Sequence, residues 1–344
     1  MKTNLNNIEL FNVAQVKQTE KGVILFRIPE NVCDCLNAPE FDENGNQTGV
    51  YIGQRDSAKC SVGVEMRFFS NADSVTVTVK TKNGGEVLIY NGDYLNISNH
   101  IPPDKEVTLK AGWNDNLNGL KRKKCNRYNK RVWRIYFACY SPIEVIDLHI
   151  TGRYRIPLKK ELPKKTVLAY GSSISQGCGT IYNPLCYLNT AANILGVDIK
   201  NKAIAAGCYC EKEMLDYLLT ESFDVGYFEL GTNLADRPLW FIEERMGNLI
   251  NAICQKFADK KLFFITPITG LSDISSTALD YKENYEKTRK IILQYAGKYQ
   301  NVTILDGHKL ADKDYYLCAD ALHPSDFGHV MMGVNLAKML KNKI

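Results

Sequence analysis

The feature that most constrains this chain is a change in hydrophobic period near residue 160. Before it, apolar and polar residues alternate in short runs, the pattern of strands with one buried face. Ser74-Val-Thr-Val-Thr-Val-Lys-Thr81 is the clearest; Asn83-Gly84-Gly85 reads as a hairpin turn and Glu86-Val-Leu-Ile-Tyr90 as the returning strand. Val132-Trp-Arg-Ile-Tyr-Phe137 and Ile143 to Ile150 repeat the pattern, and helical spacing is hardly visible. Short strands at near-regular spacing predict a β-sandwich over residues 1–157.

From residue 158 to 344 strands and helices alternate. Strands are expected at Thr166–Tyr170, Asp198–Ala205, Asp224–Leu230, Leu262–Thr266 and Val302–Leu305. Helices are expected at Leu185–Leu195, Glu211–Ser222, Phe241–Asp259, Asp280–Tyr299 and Ser325–Lys341. Five such alternations predict a parallel sheet covered on both faces. Gly152 to Lys165, with two prolines and little periodicity, reads as the linker.

At 344 residues the chain can bury two cores without a disulfide or metal staple. A net charge of +5 is too mild to imply a polyanion partner, and no apolar run approaches the ~20 residues that span a bilayer. The 11 cysteines are odd in number and contain no Cys-x-x-Cys pair; Cys33/Cys35 and Cys208/Cys210 are spaced poorly for zinc. The N-terminus lacks a signal-peptide core, so the expectation is free thiols in a cytoplasmic protein that binds no metal, nucleic acid or membrane.

Ligands of open α/β sheets bind at the carboxyl ends of the strands. The first strand ends in Gly171-Ser172-Ser173-Ile174-Ser175-Gln176-Gly177, the second leads to Gly207, and the third ends in Gly231-Thr232-Asn233. Asp320-Ala-Leu-His323-Pro324 follows the fifth. A serine on a sharp turn stands clear of the sheet, His323 is a base suited to neutral pH, and Asp320 can reach its other ring nitrogen. The Ser173 and Gly207 backbone N–H groups and the Asn233 amide are candidate oxyanion donors. This is the equipment of acyl transfer, and it calls for no cofactor.

These residues resemble the SGNH (GDSL) hydrolase superfamily, whose four blocks supply Ser, Gly, Asn and an Asp-x-x-His pair. Here the blocks would be Ser173, Gly207, Asn233, Asp320 and His323, in the family's order over residues 166–344. The usual Asp before the nucleophile is Ser172 in this chain, and Gly-Ser-Ser is similar to a carbohydrate-esterase subset. The resemblance implies a flavodoxin-like three-layer α/β/α hydrolase domain. It also implies a jelly-roll domain before it, to which Asn91-Gly-Asp-Tyr94 is a softer match. The implied activity is a serine esterase that removes acetyl or other short acyl groups from a carbohydrate. Its partner would be a small-molecule or oligosaccharide ester. A lipid or thioester acylhydrolase and a non-catalytic carbohydrate-binding protein stand as alternatives, and the oligomeric state is left open.

Other residues have plainer readings. Ser172 and Ser175 read as loop hydroxyls, Asp326 as a helix N-terminal charge, and His329, His100, His149 and His308 as structural or surface imidazoles. The basic run Lys121 to Arg131 reads as a solvated hairpin loop, and Trp240 as either core or a sugar-stacking platform.

Overall fold

A computed structural model describes residues 5–121, 126–277 and 279–344. Contacts divide the chain into two units. One holds the chain up to Glu30 together with Lys59–Lys164 and Gly196–Lys200; the other holds Asn31–Ala58, Lys165–Leu195 and Asn201–Ile344. A single cut after residue 157 therefore does not describe the division. Asn31–Ala58 groups with the second unit, and most of the expected linker is ordered in the first. There Tyr154–Arg155 forms a short strand, and an Arg155–Glu161 ion pair at 2.7 Å ties the segment down.

The first unit contains two antiparallel sheets. One runs Glu9–Phe11, Val64–Ser70, Val132–Ala138, Gly85–Asn91, Tyr94–Ile101, with Tyr154–Arg155 also on Val64–Ser70. The other runs Val107–Gly112, Ser74–Thr81, Ile143–Ile150, Val23–Phe26, Gln15–Gln18. Every second residue of Ser74–Thr81 is buried, as its alternation dictates. Val75, Val77 and Val79 meet Met66, Phe68, Ile135 and Phe137 of the other sheet in one core. Each such side chain contributes roughly 1.5–3 kcal/mol on leaving water.

The expected hairpin through Asn83-Gly84-Gly85 is not formed, because Ser74–Thr81 and Gly85–Asn91 lie in different sheets. Gly84 and Gly85, at φ +78° and +147°, carry the chain from one sheet to the other. Short helices at Glu30–Cys35 and Gln54–Lys59 also escape the sequence reading, since six residues are too few to show a 3.6-residue period. Inside this unit Arg67 forks onto Asp198 at 2.9 and 3.0 Å and shares Glu65 with Arg134. Burial works against the Glu65 charge, but the two guanidiniums outweigh it and hold that carboxyl far below its usual range.

The parallel sheet draws residues 198–200 from the first unit and the rest of its strands from the second. Its strands, Asp198–Asn201, Thr166–Tyr170, Val225–Glu229, Lys261–Ile265 and Val302–Leu305, stand in the order 2-1-3-4-5. That is a doubly wound order whose direction reverses between the first and third strands, where such sheets bind ligands. Helices Tyr187–Leu195 and Asp326–Leu340 pack together, as do Leu239–Lys256 and Leu279–Ala296. The second strand ends four residues before the expected Ala205. Past it, the Lys202 and Ile204 N–H groups still bond the first strand's end, at Ala169 O (2.7 Å) and Gly171 O (2.9 Å). A two-stranded hairpin, Ala38–Phe41 with Gln47–Tyr51, belongs to this unit too.

Candidate active site

The first strand ends at Tyr170, and the chain turns at once into the short helix Ser173–Gln176. Ser172 caps that helix, its hydroxyl accepting from the Ile174 N–H at 3.3 Å. Gly171 must be glycine. A Cβ there would lie 2.6 Å from Ser175 Oγ and 2.8 Å from Glu229 Oε2. The turn presents Ser173 at the N-terminus of the helix, 7% exposed.

Ser173 Oγ–H donates to His323 Nε2 at 2.8 Å, and His323 Nδ1–H donates to Asp320 Oδ2 at 2.7 Å. This network assigns the imidazole tautomer: the proton sits on Nδ1, leaving Nε2 as the acceptor. Asp320 Oδ1 accepts from the Leu322 and His323 N–H groups, both at 3.0 Å, so the loop is folded around its own carboxylate. Burial raises the cost of that charge, but the hydrogen bonds from His323 and Leu322 prevail and hold Asp320 below the usual carboxylate value. The Cys318 N–H, bonded to His323 O at 2.7 Å, and the Leu317–Pro324 bridge close the base of the loop.

The loop after the second strand departs from the sequence reading. The Gly207 N–H donates to Ile204 O at 3.0 Å and closes a turn, so it is already spent. Ala206 takes the left-handed backbone here, at φ +51°, a conformation alanine adopts at a cost. Its N–H has no acceptor among the described residues. The same holds for the Ser173 N–H and for Asn233 Nδ2. Asn233 Oδ1 accepts from the Cys208 N–H at 3.1 Å, which fixes the amide and leaves its NH₂ as the free end. Three unsatisfied donors thus lie on the loops that follow three adjacent strands. The Ile204–Gly171 and Cys208–Asn233 bonds bind those loops to one another.

One residue beneath the site was missed. Glu229 ends the third strand with its carboxylate buried, 1% exposed. Oε2 accepts from the Ser172 N–H (2.8 Å), Ser172 Oγ–H (2.6 Å) and Ser175 Oγ–H (3.1 Å); Oε1 accepts from Thr232 Oγ–H at 2.7 Å. Burial pushes its pKa up despite these donors. The signal in the sequence was a lone carboxylate closing the apolar run Val225-Gly-Tyr-Phe-Glu229.

His329 is fully buried, donating through Nε2 to Cys178 O at 2.9 Å while Nδ1 accepts from the Tyr187 N–H at 3.3 Å; burial pushes its pKa down to about 4. Asp326 accepts from the Ile181 N–H at 2.9 Å. Trp240 is 56% exposed and meets Phe41 and Phe241 edge-on. Residues 122–125 of the basic run lie outside the described residues. Arg127 pairs with Asp93 at 3.0 Å, and Arg131 stacks on Trp113. The cysteines in the described residues are free thiols, no cluster there could hold a metal, and no described helix is long and apolar enough to cross a membrane.

No protein-family model matches the chain, and no curated protein matches it by sequence. Solved structures do match over nearly its whole length. The salicylyl-acyltransferase SsfX3 of a tetracycline biosynthetic pathway superposes with a TM-score of 0.73 at 14% identity, over 98% of this chain and 97% of that one. A GDSL-like lipase from Bacteroides ovatus ATCC 8483 gives 0.65 at 14%, over 97% and 95%. A family 2 carbohydrate esterase from Cellvibrio japonicus gives 0.57 at 11%, over 97% and 94%. The chain shares their fold. At these identities the likeness speaks for architecture, and the chemistry has to come from the side chains.

Proposed function

We propose that the protein is a serine ester hydrolase that removes acetyl or another short acyl group from a carbohydrate. The observation that carries this reading is the hydrogen-bonded chain Ser173–His323–Asp320 beside three N–H donors that lack acceptors. Ser173 Oγ attacks the ester carbonyl carbon while His323 Nε2 takes its proton. The carbonyl oxygen becomes an oxyanion, bonded to the Ser173 and Ala206 N–H groups and Asn233 Nδ2. Collapse breaks the bond to the alcohol oxygen, which receives the proton from His323, and leaves an acyl-serine. Water, deprotonated by the same imidazole, then releases the carboxylic acid. Asp320 holds the tautomer and stabilises the imidazolium.

The carbohydrate alcohol and the short acyl group rest on the likeness to carbohydrate esterases. So does the reading of the sandwich as a jelly roll and of the sheet as a flavodoxin-like three-layer domain, which the two helix pairs support. The free thiols favour a reducing compartment, the cytoplasm.

A second reading, transfer of the acyl group to an alcohol other than water, draws on the whole-length likeness to an acyltransferase. Turnover of p-nitrophenyl acetate, butyrate and octanoate by wild type and Ser173→Ala tests the first. Activity that falls with chain length and vanishes in the variant supports it. Octanoate preference would favour a lipid acylhydrolase, and equal activity in the variant would refute Ser173 as nucleophile. Release of p-nitrophenol accelerated by added alcohols, with new ester formed, would establish transfer.

A further inference from the structure

The first unit carries a cleft of about 540 Å³ whose walls include Asn91, Tyr94, Asn96, Trp113, Asn114 and Asn116. No residue of the Ser173 site lines it. We propose that this cleft binds a neutral carbohydrate chain. Its volume is in the range of small-ligand sites, roughly 300–1,000 Å³.

The chemistry of the walls selects the ligand. Four side-chain amides line it, and between them they keep both donors and acceptors free, the combination that pairs with vicinal hydroxyls. Asn91 is the telling one. It is 1% exposed, its Oδ1 accepts from Asn96 Nδ2 at 2.7 Å, and its own Nδ2 has no partner. A buried donor left unpaired costs about 1–3 kcal/mol, and a hydroxyl oxygen seated in the cleft would remove that cost. Asn96 Nδ2 also donates to Gly112 O at 2.7 Å, so its amide is locked with the oxygen as the remaining group.

The aromatic walls suit the apolar faces of sugar rings. Tyr94 and Leu95 are 42% and 48% exposed. Trp113 is held in place by its indole N–H on Asn118 Oδ1 at 3.1 Å and by the Arg131 guanidinium 3.5 Å from its ring centre. The charges around the cleft already have partners. Arg127 pairs with Asp93, Asp115 accepts from Asn118 Nδ2 at 3.0 Å, and Arg131 lies on the indole. An anionic ligand meets the Asp115 carboxylate and finds no cation among the wall residues, whereas a neutral polyol finds amides and rings.

The test is electrophoresis of the full chain through native gels containing ester-free xylan, glucomannan or mixed-linkage β-glucan, with alginate as the charged comparison. Ester-free polymers give the Ser173 site no bond to cleave, the cleft variants separate binding here from binding there, and p-nitrophenyl acetate turnover, measured in parallel, reports on the Ser173 site. The expected result is retardation by at least one neutral polymer, weakened about tenfold by Tyr94→Ala and by Asn116→Ala. Asn116 offers a side chain the loop does not use, since only its backbone N–H bonds Asn114. Both variants should keep the wild-type melting temperature and ester turnover. The proposal fails if no neutral polymer retards the protein, if alginate alone does, or if both folded variants migrate as wild type.

Discussion

Ser172 gives both its backbone N–H and its hydroxyl proton to a single oxygen, Oε2 of Glu229, at 2.8 and 2.6 Å. The residue before Ser173 is therefore fixed from the neighbouring strand, and Ser173 inherits that fixity. Glu229→Gln offers one acceptor oxygen where four donors now converge, and adds an NH₂ that the Ser172 N–H cannot accept and that the hydroxyls accept only by turning round. Stability should fall by about 1–3 kcal/mol by urea unfolding, and kcat should fall with little change in KM. A variant with wild-type kcat would show that the carboxylate does not position the turn.

Ser173→Ala should lose turnover by ~10⁴–10⁶ fold with an unchanged melting temperature, because the side chain makes a single bond, to His323. Asp320→Asn keeps the shape but presents an amide to Nδ1. Its NH₂ cannot accept the imidazole proton, so the tautomer is no longer fixed and kcat should drop ~10²–10⁴ fold. An Asp320→Asn enzyme within a few fold of wild type would mean that Ser173 and His323 suffice.

Asn233→Ala should lower kcat by ~10²–10³ fold, the usual effect of one oxyanion donor. Ala206→Gly keeps the N–H and relieves the left-handed backbone. It should retain turnover and gain about 0.5–1 kcal/mol in stability. Loss of activity in a stable Ala206→Gly protein would show that the N–H alone does not account for what this loop does.

Two buried groups should shape stability against pH in opposite senses. His329 is held neutral in the folded chain down to about 4, while an ordinary unfolded imidazole binds its proton near 6.5. Between those values the unfolded chain binds more protons, so its contribution is full above pH 6.5 and is lost as the pH falls to 4. Burial pushes the Glu211 carboxyl up to about 7 from its usual 4.5, against the opposing pull of its own backbone N–H, Arg245 and Gln54. There the folded chain binds more protons, so stability is gained as the pH falls from 7 towards 4.5. Relative to wild type, His329→Gln should flatten the acid limb in urea unfolding at pH 5 and 7. Glu211→Gln should be the more stable protein at pH 8 and lose that advantage by pH 5. Parallel profiles for all three proteins would exclude both assignments.

The strands Thr166–Tyr170 and Val302–Leu305 are legible in the sequence because each is a short apolar run bounded by turn residues. The meeting of Ser173, His323 and Asp320 in one hydrogen-bonded chain is legible because they follow strand ends, and the catalytic part proposed for them awaits the variants above. That the Gly207 N–H closes a turn on Ile204 O was not legible, since it depends on Ala206 turning left-handed just before it. Glu229 was invisible because its worth lies in partners 54 and 57 residues away. Asn83-Gly84-Gly85 marked a turn correctly but could not say that the chain changes sheet there. Local sequence dictates the bend, and only the core decides which sheet receives the next strand.

The grouping of Asn31–Ala58 with the second unit has a consequence for synthesis on the ribosome. That segment emerges early, yet the sheet it belongs with begins at Thr166 and is finished only near the end of translation. At roughly 5–20 residues per second, the wait is several seconds at least. The hairpin carrying Phe41, whose ring will meet Trp240 and Phe241, is thus left without its aromatic partners while Lys59–Lys164 is being made. Gln54, whose Cβ will stand against the Gly207 turn, shares that wait. The nascent chain must keep this stretch out of wrong pairings until residues synthesised last arrive to receive it.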